Sequence, residues 1–384
     1  RQKYTMFEQV FNFICDEFSS SDIIPLHEPC FGGNEKRYLA DCIDSTFVSS
    51  VGAYVGKFEQ AVADFVGSRY AIAVVNGTQG LFVALKSLGI DSSCEVLTQS
   101  LTFVATANAI HYTGARPVFL DVERSTFGLS PTALKGFLHQ HTEMRSGKCI
   151  NKKSGRSIAA CLPMHSCGHP AQVEELRQVC QETNIALVED AAESLGSFLN
   201  EKHTGTFGEI GVFSFNGNKV ITAGGGGMLV TDDEALANNL RHLTTTAKVA
   251  HSWEFIHDQI GYNFRMPNIN AALGCAQMEQ LPHLLEKKRA LAEKYRLFFA
   301  ASDMEYLEEP VGSKSNFWLN TILLANEQKK IDFLEQANGK GIGARSLWRP
   351  MHMQDIYRHC QRDSQCNAEE IYHRAVNLPS SVKA

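Results

Sequence analysis

The chain has 384 residues, with 36 Lys and Arg against 42 Asp and Glu, so its formal net charge is −6. This balance argues against a nucleic-acid partner or a polybasic membrane anchor, and a composition of 44% hydrophobic and 20% charged residues is typical of a globular chain. The sequence holds no apolar run of about 18 residues, the length that spans a bilayer. Its eleven cysteines form no CxxC pair, so we expect reduced thiols and a cytoplasmic protein.

The first element predicted along the chain is an amphipathic helix over residues 5–18, because apolar side chains recur there on one helical face. From residue 70 onward, short β-branched runs alternate with helical patterns. The predicted strands are residues 71–75, 95–97, 116–122, 157–162, 185–188, 211–215 and 228–231. The predicted helices between them are residues 81–88, 105–112, 173–183 and 234–243. Strands separated by crossover helices predict an α/β fold whose sheet is mostly parallel and covered on both faces.

The pattern changes after Asn268 to longer, charged helices, which indicates a smaller C-terminal α/β domain. The elements predicted there are a helix at residues 271–299, a strand at 316–324 and a helix at 328–338. We therefore divide the chain into an N-terminal helical segment (1–24), a large α/β domain (25–262) and a smaller C-terminal domain (263–384). The polar, basic residues 144–156 are expected to form a surface loop or hairpin.

A candidate phosphate site lies where Asn76, Gly77 and Thr78 close an apolar strand and open a helix. The start of a helix offers unpaired N–H groups and a partial positive charge, so a phosphate can bind there with the Thr78 hydroxyl as a further donor. Asn-Gly is also a common turn pair and Thr a common helix cap. On the residues alone, an ordinary strand-to-helix turn stays open as the alternative.

A second candidate site lies at Asp190 and Glu193, directly after an apolar strand. Acids at the carboxyl end of a parallel strand lie on the sheet edge where ligands bind, and an aspartate there can hold a cationic ring nitrogen. The alternative is helix capping by Asp190, with Glu193 three residues later in the capping-box pattern.

Lys219 is a third candidate, because it stands between an apolar strand and the glycine run at residues 224–227, whereas lysines prefer solvated surfaces. Buried near a phosphate and a ring, it can lose its proton and become a Schiff-base nucleophile. A lysine in a surface loop is the simpler alternative. The glycine run does not predict a dinucleotide site, because it precedes a strand, whereas that motif follows a strand and opens a helix.

A metal site is also suggested by Cys161, His165, Cys167 and His169, which lie close together in the sequence. Cys161 falls in a predicted strand, a proline follows His169, and the spacing matches no zinc pattern. We therefore predict no metal site.

Seven short segments stand in a fixed order over nearly the whole chain: residues 76–78, 101–106, 163–168, 189–193, 213–219, 261–265 and 377–381. In this order and spacing they resemble the fold type I, pyridoxal-phosphate-dependent aminotransferases of the DegT-type nucleotide-sugar family. Within that family, residues 24–29, 47–52 and 216–218 look most like the C4 aminotransferases of the legionaminic-acid pathway. Those enzymes act on a UDP-linked 4-keto-6-deoxy-N-acetylhexosamine.

The resemblance implies catalytic roles for Lys219 and Asp190. Lys219 matches the lysine that binds the cofactor aldehyde covalently and, once released, moves the proton between the amino-acid α-carbon and the cofactor. Asp190 matches the carboxylate that pairs with the pyridinium nitrogen and keeps it protonated.

The resemblance also implies cofactor-binding positions. Phe103 occupies the position of the aromatic residue that stacks on the cofactor ring. Gly77, Thr78 and Ser214 match phosphate-binding positions. Asn263 matches a residue that reaches the phosphate from the neighbouring subunit, which implies a homodimer with two shared active sites.

Three further positions are predicted from the same family segments. Glu193 stands near the cofactor's phenolic oxygen, where many members have Gln, and a carboxylate beside an oxyanion is repelled unless it is protonated. His165 and His352 lie in segments that face the substrate, although packed histidines explain both equally well.

The implied reaction is a two-stage transamination. L-Glutamate converts pyridoxal 5'-phosphate to pyridoxamine 5'-phosphate, and the amine then passes to the ketone of a nucleotide-linked sugar. The alternatives are sugar dehydration, which in this family accompanies loss of the lysine, and a non-catalytic sensor or binding protein on the same scaffold.

Overall fold

The computed structural model describes residues 6–19 and 23–382. The α-helices in these ranges are α1 (Met6–Phe18), α2 (Glu35–Asp44), α3 (Ala53–Val66), α4 (Gly77–Ser87), α5 (Val104–Tyr112), α6 (Pro131–His141), α7 (Val173–Glu182), α8 (Glu234–Thr244), α9 (Asn268–Phe299), α10 (Glu327–Gly339) and α11 (Cys366–Arg374). Short 3-10 turns occur at Ser166–Gly168 and Met351–Met353. None of the described helices is long and apolar enough to cross a membrane.

The strands fall into a large central sheet and three smaller ones. In chain order they are β1 (Tyr70–Val74), β2 (Cys94–Gln99), β3 (Arg116–Leu120), β4 (Thr142–Arg145), β5 (Lys148–Asn151), β6 (Ser157–Leu162), β7 (Ala186–Asp190), β8 (Phe198–Leu199), β9 (Lys202–His203), β10 (Ile210–Ser214), β11 (Gly227–Thr231), β12 (Lys248–Val249), β13 (Ile256–His257), β14 (Glu305–Tyr306), β15 (Ser313–Lys314), β16 (Asn320–Leu323), β17 (Arg345–Ser346) and β18 (Ala375–Leu378).

The central sheet has the strand order β1-β11-β10-β7-β6-β2-β3. The strands from β10 to β3 pair in parallel, whereas β11 runs antiparallel to both of its neighbours. The hairpin of β4 and β5 joins β6, so the segment expected at residues 144–156 as a surface loop or hairpin begins within a hairpin. The α/β class with a mostly parallel, mixed sheet is therefore confirmed.

Both faces of the sheet are covered by helices. Successive side chains of a strand point to opposite faces, so neighbouring residues of one strand pack against different helices. In β1, Ile72 and Val74 pack on one face with residues of α4, α5 and α8. Ala71 and Ala73 pack on the opposite face with residues of α3 and α9. Helices α6 and α7 extend the covering of the sheet around β2, β3 and β6. Burial on both faces explains why the strands are nearly continuous apolar runs in the sequence.

The C-terminal sheet, with strand order β14-β16-β18-β17, is antiparallel throughout. Its apolar residues share one core with α1, α9 and α10, where Phe11, Tyr295, Phe333 and Val376 are buried together. The predicted N-terminal helix is confirmed over Met6–Phe18, and residue 5 lies outside the described residues. Because α1 packs with C-terminal elements and α9 also packs on α3, the division of the chain at residues 24 and 262 stays a prediction.

Three helices of the large α/β region, α2, α3 and α6, were not predicted. The sequence did carry a signal for α3, where Val55, Phe58, Val62 and Val66 are spaced three or four residues apart and are all buried. Helix α6 also carried one, because Ser130 caps its first turn and Pro131 occupies the first helical position. These two helices were therefore within reach of local pattern analysis.

A close approach between strand β10 and the loop before it gives a stability prediction. A Cβ on Gly211, in β10, would lie 1.9 Å from the carbonyl oxygen of Gly205, so Gly211→Ala requires a backbone shift. We expect this variant to lose about 2–3 kcal/mol of unfolding free energy. Gly56→Ala is the matched control, because residue 56 lies in α3 with open space around it, and it should gain about 1 kcal/mol. Urea denaturation measures both; equal stability of the two variants would contradict the prediction.

Candidate active site

A cavity of about 330 Å³ opens at the carboxyl ends of β7 and β10 and at the start of α4. In open parallel sheets this edge is where ligands bind. The residues that line the cavity are Asn76, Gly77, Thr78, Leu81, Phe103, Ala105, Met164, Asp190, Ala192, Glu193, Ser214, Asn216, Asn218, Lys219, Trp318 and Trp348. The structure thus brings the three candidate segments of the sequence together, although they are far apart along the chain.

Asp190 ends β7 and is 3% exposed. Its Oδ2 accepts a hydrogen bond of 2.7 Å from the Thr106 hydroxyl, and its Oδ1 accepts one of 3.2 Å from the Ala192 N–H. Burial raises the pKa of the Asp190 carboxyl, against the opposing effects of these hydrogen bonds and of the Lys219 charge. A cationic group beside this carboxylate would offset the cost of its burial.

Lys219 lies in the turn that follows β10, and its side chain is 14% exposed. Its Nζ is 3.6 Å from Oε1 of Glu193 and 4.1 Å from the centre of the Trp318 ring. The amine therefore faces the cavity, which rules out the surface-loop alternative for this lysine.

Glu193 is buried beside the lysine, and its Oε2 accepts a hydrogen bond of 2.9 Å from the Cys167 N–H. Burial raises the pKa of Glu193 to about 7, although the Lys219 charge and the Cys167 hydrogen bond oppose the shift. Near neutral pH this side chain can therefore hold a proton. A protonated carboxyl resolves the repulsion expected between a carboxylate and a neighbouring oxyanion.

The start of α4 forms the third wall of the cavity. The Asn76 side chain caps the helix by accepting the Gln79 N–H at 2.8 Å, so both functions considered for this segment are compatible. The start of α4 lies close to the end of β10, because a Cβ added to Gly77 would be only 3.1 Å from Cβ of Ser214. The Gly77 and Thr78 N–H groups belong to the first turn, whose N–H groups have no partner within a helix.

Phe103 and Asn263 both have accessible side chains, as their predicted roles require. Phe103 precedes α5, lines the cavity and is 50% exposed, so its side chain is accessible to a ligand. Asn263 is exposed and does not line the cavity of its own chain. A role for Asn263 in a neighbouring subunit stays a prediction.

The structure does not bring the two predicted substrate histidines into the cavity. His165 is fully buried, its Nε2 lies 2.9 Å from Glu189, and its Nδ1 accepts the Ala171 N–H at 3.0 Å. His352 is 5% exposed and lies between Ser100, 2.6 Å from its Nδ1, and Glu369, 2.9 Å from its Nε2. Both environments favour the packed-histidine alternative.

The four residues considered for a metal site point to different neighbours. The Cys161 thiol interacts with that of Cys180, and His169 packs edge-on against Phe317. Burial lowers the pKa of His169 to about 4. Within residues 6–19 and 23–382, no group of three or more His, Cys, Asp or Glu side chains is placed to hold a metal ion.

Several residues of the site were missed from the sequence, among them Trp318 and Trp348, which line the cavity, and Thr106, which donates to Asp190. Thr106 lies in the first turn of α5, inside one of the seven segments, so its polar side chain near Phe103 was an available signal. The two tryptophans come from the C-terminal part of the chain, and no local pattern links them to Lys219.

Comparisons with known proteins agree over most of the chain. The model of the DegT/DnrJ/EryC1/StrS aminotransferase family matches residues 29–384. GDP-perosamine synthase of Vibrio cholerae is 36% identical over 364 residues, which cover 93% of this chain and 94% of that protein. GDP-perosamine synthase of Escherichia coli O157:H7 is 35% identical over 357 residues, with 93% of each chain covered. The structure of Helicobacter pylori PseC, an aminotransferase involved in the biosynthesis of pseudoaminic acid, matches with a TM-score of 0.84 at 26% identity, covering 93% of this chain and 94% of that chain.

The raised pKa of Glu193 predicts a pH-dependent loss of stability. Between the unfolded value near 4.5 and the folded value of about 7, the folded protein keeps a proton that the unfolded chain releases, so stability falls as the pH rises. Glu193→Gln removes this titration while keeping an acceptor for the Cys167 N–H. Relative to the variant, we expect the wild type to lose about 2 kcal/mol between pH 5.5 and 8. Urea unfolding of both proteins, freed of small molecules, measures the difference; parallel pH profiles would contradict it.

Proposed function

The chain belongs to the DegT/DnrJ/EryC1/StrS aminotransferase family, and on that basis we propose that it transfers an amino group from L-glutamate to C4 of a UDP-linked 4-keto-6-deoxy-N-acetylhexosamine. That it is a pyridoxal-phosphate-dependent sugar aminotransferase follows from its family and relatives. The observation that supports the catalytic part of the proposal is that the Lys219 amine and the Asp190 carboxylate face one cavity beside the start of α4.

The cavity residues fit pyridoxal phosphate. The buried Asp190 carboxylate, whose pKa is raised by burial, would hold a cationic ring nitrogen. The start of α4 at Gly77 and Thr78, with Ser214 close by, would hold the phosphate. Lys219 would bind the aldehyde carbon, and the half-exposed Phe103 would cover the ring. When bound, the cofactor supplies an electrophilic carbon and a conjugated ring that accepts the electron pair of the donor's α-carbon.

The side chains around the cavity have separable tasks in this reaction. Asp190, oriented by the Thr106 hydroxyl, keeps a proton on the ring nitrogen through its negative charge. Lys219 Nζ takes the proton from the α-carbon of the amino donor and returns one on the acceptor side. Glu193, with a pKa of about 7, can keep a proton 3.6 Å from that amine and so avoids adding a second full negative charge beside Asp190.

The proposed sugar rests on the likeness of residues 24–29, 47–52 and 216–218 to C4 aminotransferases of the legionaminic-acid pathway. Two of the relatives are named for a GDP-linked sugar, so the choice of UDP rests on these three segments alone.

Dehydration is disfavoured because Lys219 is present and faces the cavity. A homodimer with shared sites is part of the proposal, supported by the exposed position of Asn263 outside its own cavity.

Substitution of Lys219 tests the catalytic assignment. Lys219→Ala should abolish turnover and leave the cofactor bound without a covalent link, because the amine is gone. Borohydride reduction followed by mass spectrometry should find a cofactor adduct on the wild type and none on the variant. Lys219→Arg is the matched control for charge, since it keeps a cation without a comparable nucleophile, and it should be equally inactive. Full activity of either variant would end the assignment.

A substrate panel tests the proposed sugar. With glutamate as donor, we expect the UDP-linked 4-keto-6-deoxy sugar with a 2-acetamido group to exceed its GDP- and dTDP-linked counterparts in kcat/KM by about tenfold or more, a difference of about 1.4 kcal/mol. Steady-state assays with each sugar measure this, with Lys219→Ala as the background. A faster reaction with the GDP-linked sugar would overturn the nucleotide assignment and leave the aminotransferase assignment intact.

A further inference from the structure

The turn that carries Lys219 is neither helix nor strand, so few hydrogen bonds fix its backbone. The Lys219 N–H donates to the carbonyl of Asn216 at 3.1 Å, within the turn itself. The preceding carbonyl, that of Asn218, accepts a hydrogen bond of 2.7 Å from Nε1–H of Trp318. An indole from the C-terminal part of the chain thus anchors the backbone next to the lysine.

The same indole also contacts the end of the lysine side chain. Lys219 Nζ lies 4.1 Å from the centre of the Trp318 ring, within the range of a cation–π contact. Oε1 of Glu193 is 3.6 Å from the same Nζ. Trp318 therefore contacts the Lys219 amine with its ring and the carbonyl of the preceding residue, Asn218, with its N–H. Because a lysine side chain has four rotatable bonds, these two contacts together restrict where the amine can lie.

Trp318 is itself held by a turn that is tied to Glu193. Phe317 has a φ of +46°, a left-handed conformation that bulky residues rarely adopt. The Trp318 N–H donates to Oδ1 of Asn316 at 2.8 Å, and the Asn316 amide donates to the carbonyl of Glu193 at 2.8 Å. Strained backbone of this kind persists where the surrounding structure over-determines it, often at functional sites. One turn therefore fixes the indole relative to both the acid and the lysine.

We propose that Trp318 is the positioning residue for Lys219, holding the free amine where it exchanges a proton with the substrate carbon. The indole N–H fixes the backbone at Asn218, and the ring face directs Nζ into the cavity. The proton moves between the α-carbon of the amino donor and Lys219 Nζ, and Trp318 gives up no atom. This inference rests on the transamination chemistry of the family and is independent of which sugar accepts the amine.

Two variants separate the two contacts. Trp318→Phe keeps an aromatic face and removes the N–H that reaches Asn218, whereas Trp318→Leu removes both. Phe333→Leu is the matched control for a lost buried aromatic ring, because Phe333 is fully buried in the C-terminal core, away from the cavity. Thermal denaturation of all three shows whether each variant folds. If Trp318→Leu does not fold, Trp318→Phe still tests the role of the indole N–H.

The first measurement reports the position of the amine without turnover. Protein carrying lysine labelled with 13C at the ε-carbon is loaded with pyridoxamine phosphate, the form in which Lys219 is not bound covalently. The ring current of Trp318 should shift the Lys219 ε-proton signal upfield, and the signal is assigned by its loss in Lys219→Arg. We expect the shift to disappear in Trp318→Leu and to persist in Phe333→Leu. An unchanged Lys219 signal in Trp318→Leu would overturn the proposal.

The second measurement follows proton transfer in the half-reaction with the amino donor. The donor is identified first, by screening the standard amino acids on the wild type. Conversion of the bound cofactor is timed with the donor carrying hydrogen or deuterium on its α-carbon. We expect the rate to fall about 10-fold in Trp318→Phe and about 100-fold in Trp318→Leu, with a larger isotope effect in each. A higher KM with unchanged kcat and isotope effect would instead make Trp318 a wall of the substrate pocket and overturn the positioning role.

If the donor proposed above is wrong, the amino-acid screen reveals it in the wild type. Neither measurement uses the sugar, so a wrong sugar assignment leaves both measurements available. Phe333→Leu should lower the melting temperature and leave the isotope effect unchanged. The same isotope effect in Phe333→Leu and Trp318→Leu would show that lost stability, and not lost positioning, explains the slower reaction.

Discussion

The burial of two carboxyl groups beside one amine governs the structure around the cavity. Asp190 and Glu193 are each 3% exposed, and removing a carboxylate from water is costly unless hydrogen bonds or opposite charges replace the lost solvation. Here Thr106 and Cys167 donate to the two carboxyl groups, and Lys219 supplies a positive charge. The raised pKa values of both acids indicate that these partners compensate the burial only in part. A cationic group bound beside Asp190 would complete the compensation. The burial that lowers the stability of the free protein therefore favours binding of a cation at Asp190.

The fold meets this constraint by bringing distant parts of the chain to one sheet edge. Strand β7 delivers Asp190, the turn after β10 delivers Lys219, and the start of α4 adds a wall of N–H groups. All three lie at the carboxyl edge of the central sheet because β7 and β10 are parallel neighbours. The strands themselves are buried on both faces, which makes the sheet a rigid support for groups that must be held within hydrogen-bonding distance.

The C-terminal part of the chain closes the cavity and stiffens it. Asn316 donates two hydrogen bonds to carbonyls of the Glu193–Leu195 turn, and the following residues bring Trp318 against Lys219. Cys167, whose φ is +58°, donates its N–H to the Glu193 carboxyl group. A residue with a left-handed backbone thus occurs in each of the two segments that donate to Glu193, at Cys167 and at Phe317. Such strained residues often cluster at functional sites.

The sequence alone determined the α/β architecture and singled out the three segments that the structure brings together at one cavity. Continuous apolar strands, the Asn-Gly-Thr helix start and the isolated Lys219 are local features, and their chemistry can be argued from neighbours in the chain. The order of seven segments then identified the family, because together they are far more specific than any one of them. Such features can be found from the sequence because each depends only on residues a few positions away.

The tertiary structure decided which groups meet. His165 was placed on the substrate side from its segment, but its ring is used inside the protein by Glu189 and the Ala171 N–H. Trp318 was overlooked, although it contacts the Lys219 amine and the carbonyl of Asn218 next to it. The direction of a side chain depends on turns such as the one at Phe317 and on partners far away in the sequence. No local spacing encodes that information, because contacts between distant segments exist only after the chain has folded.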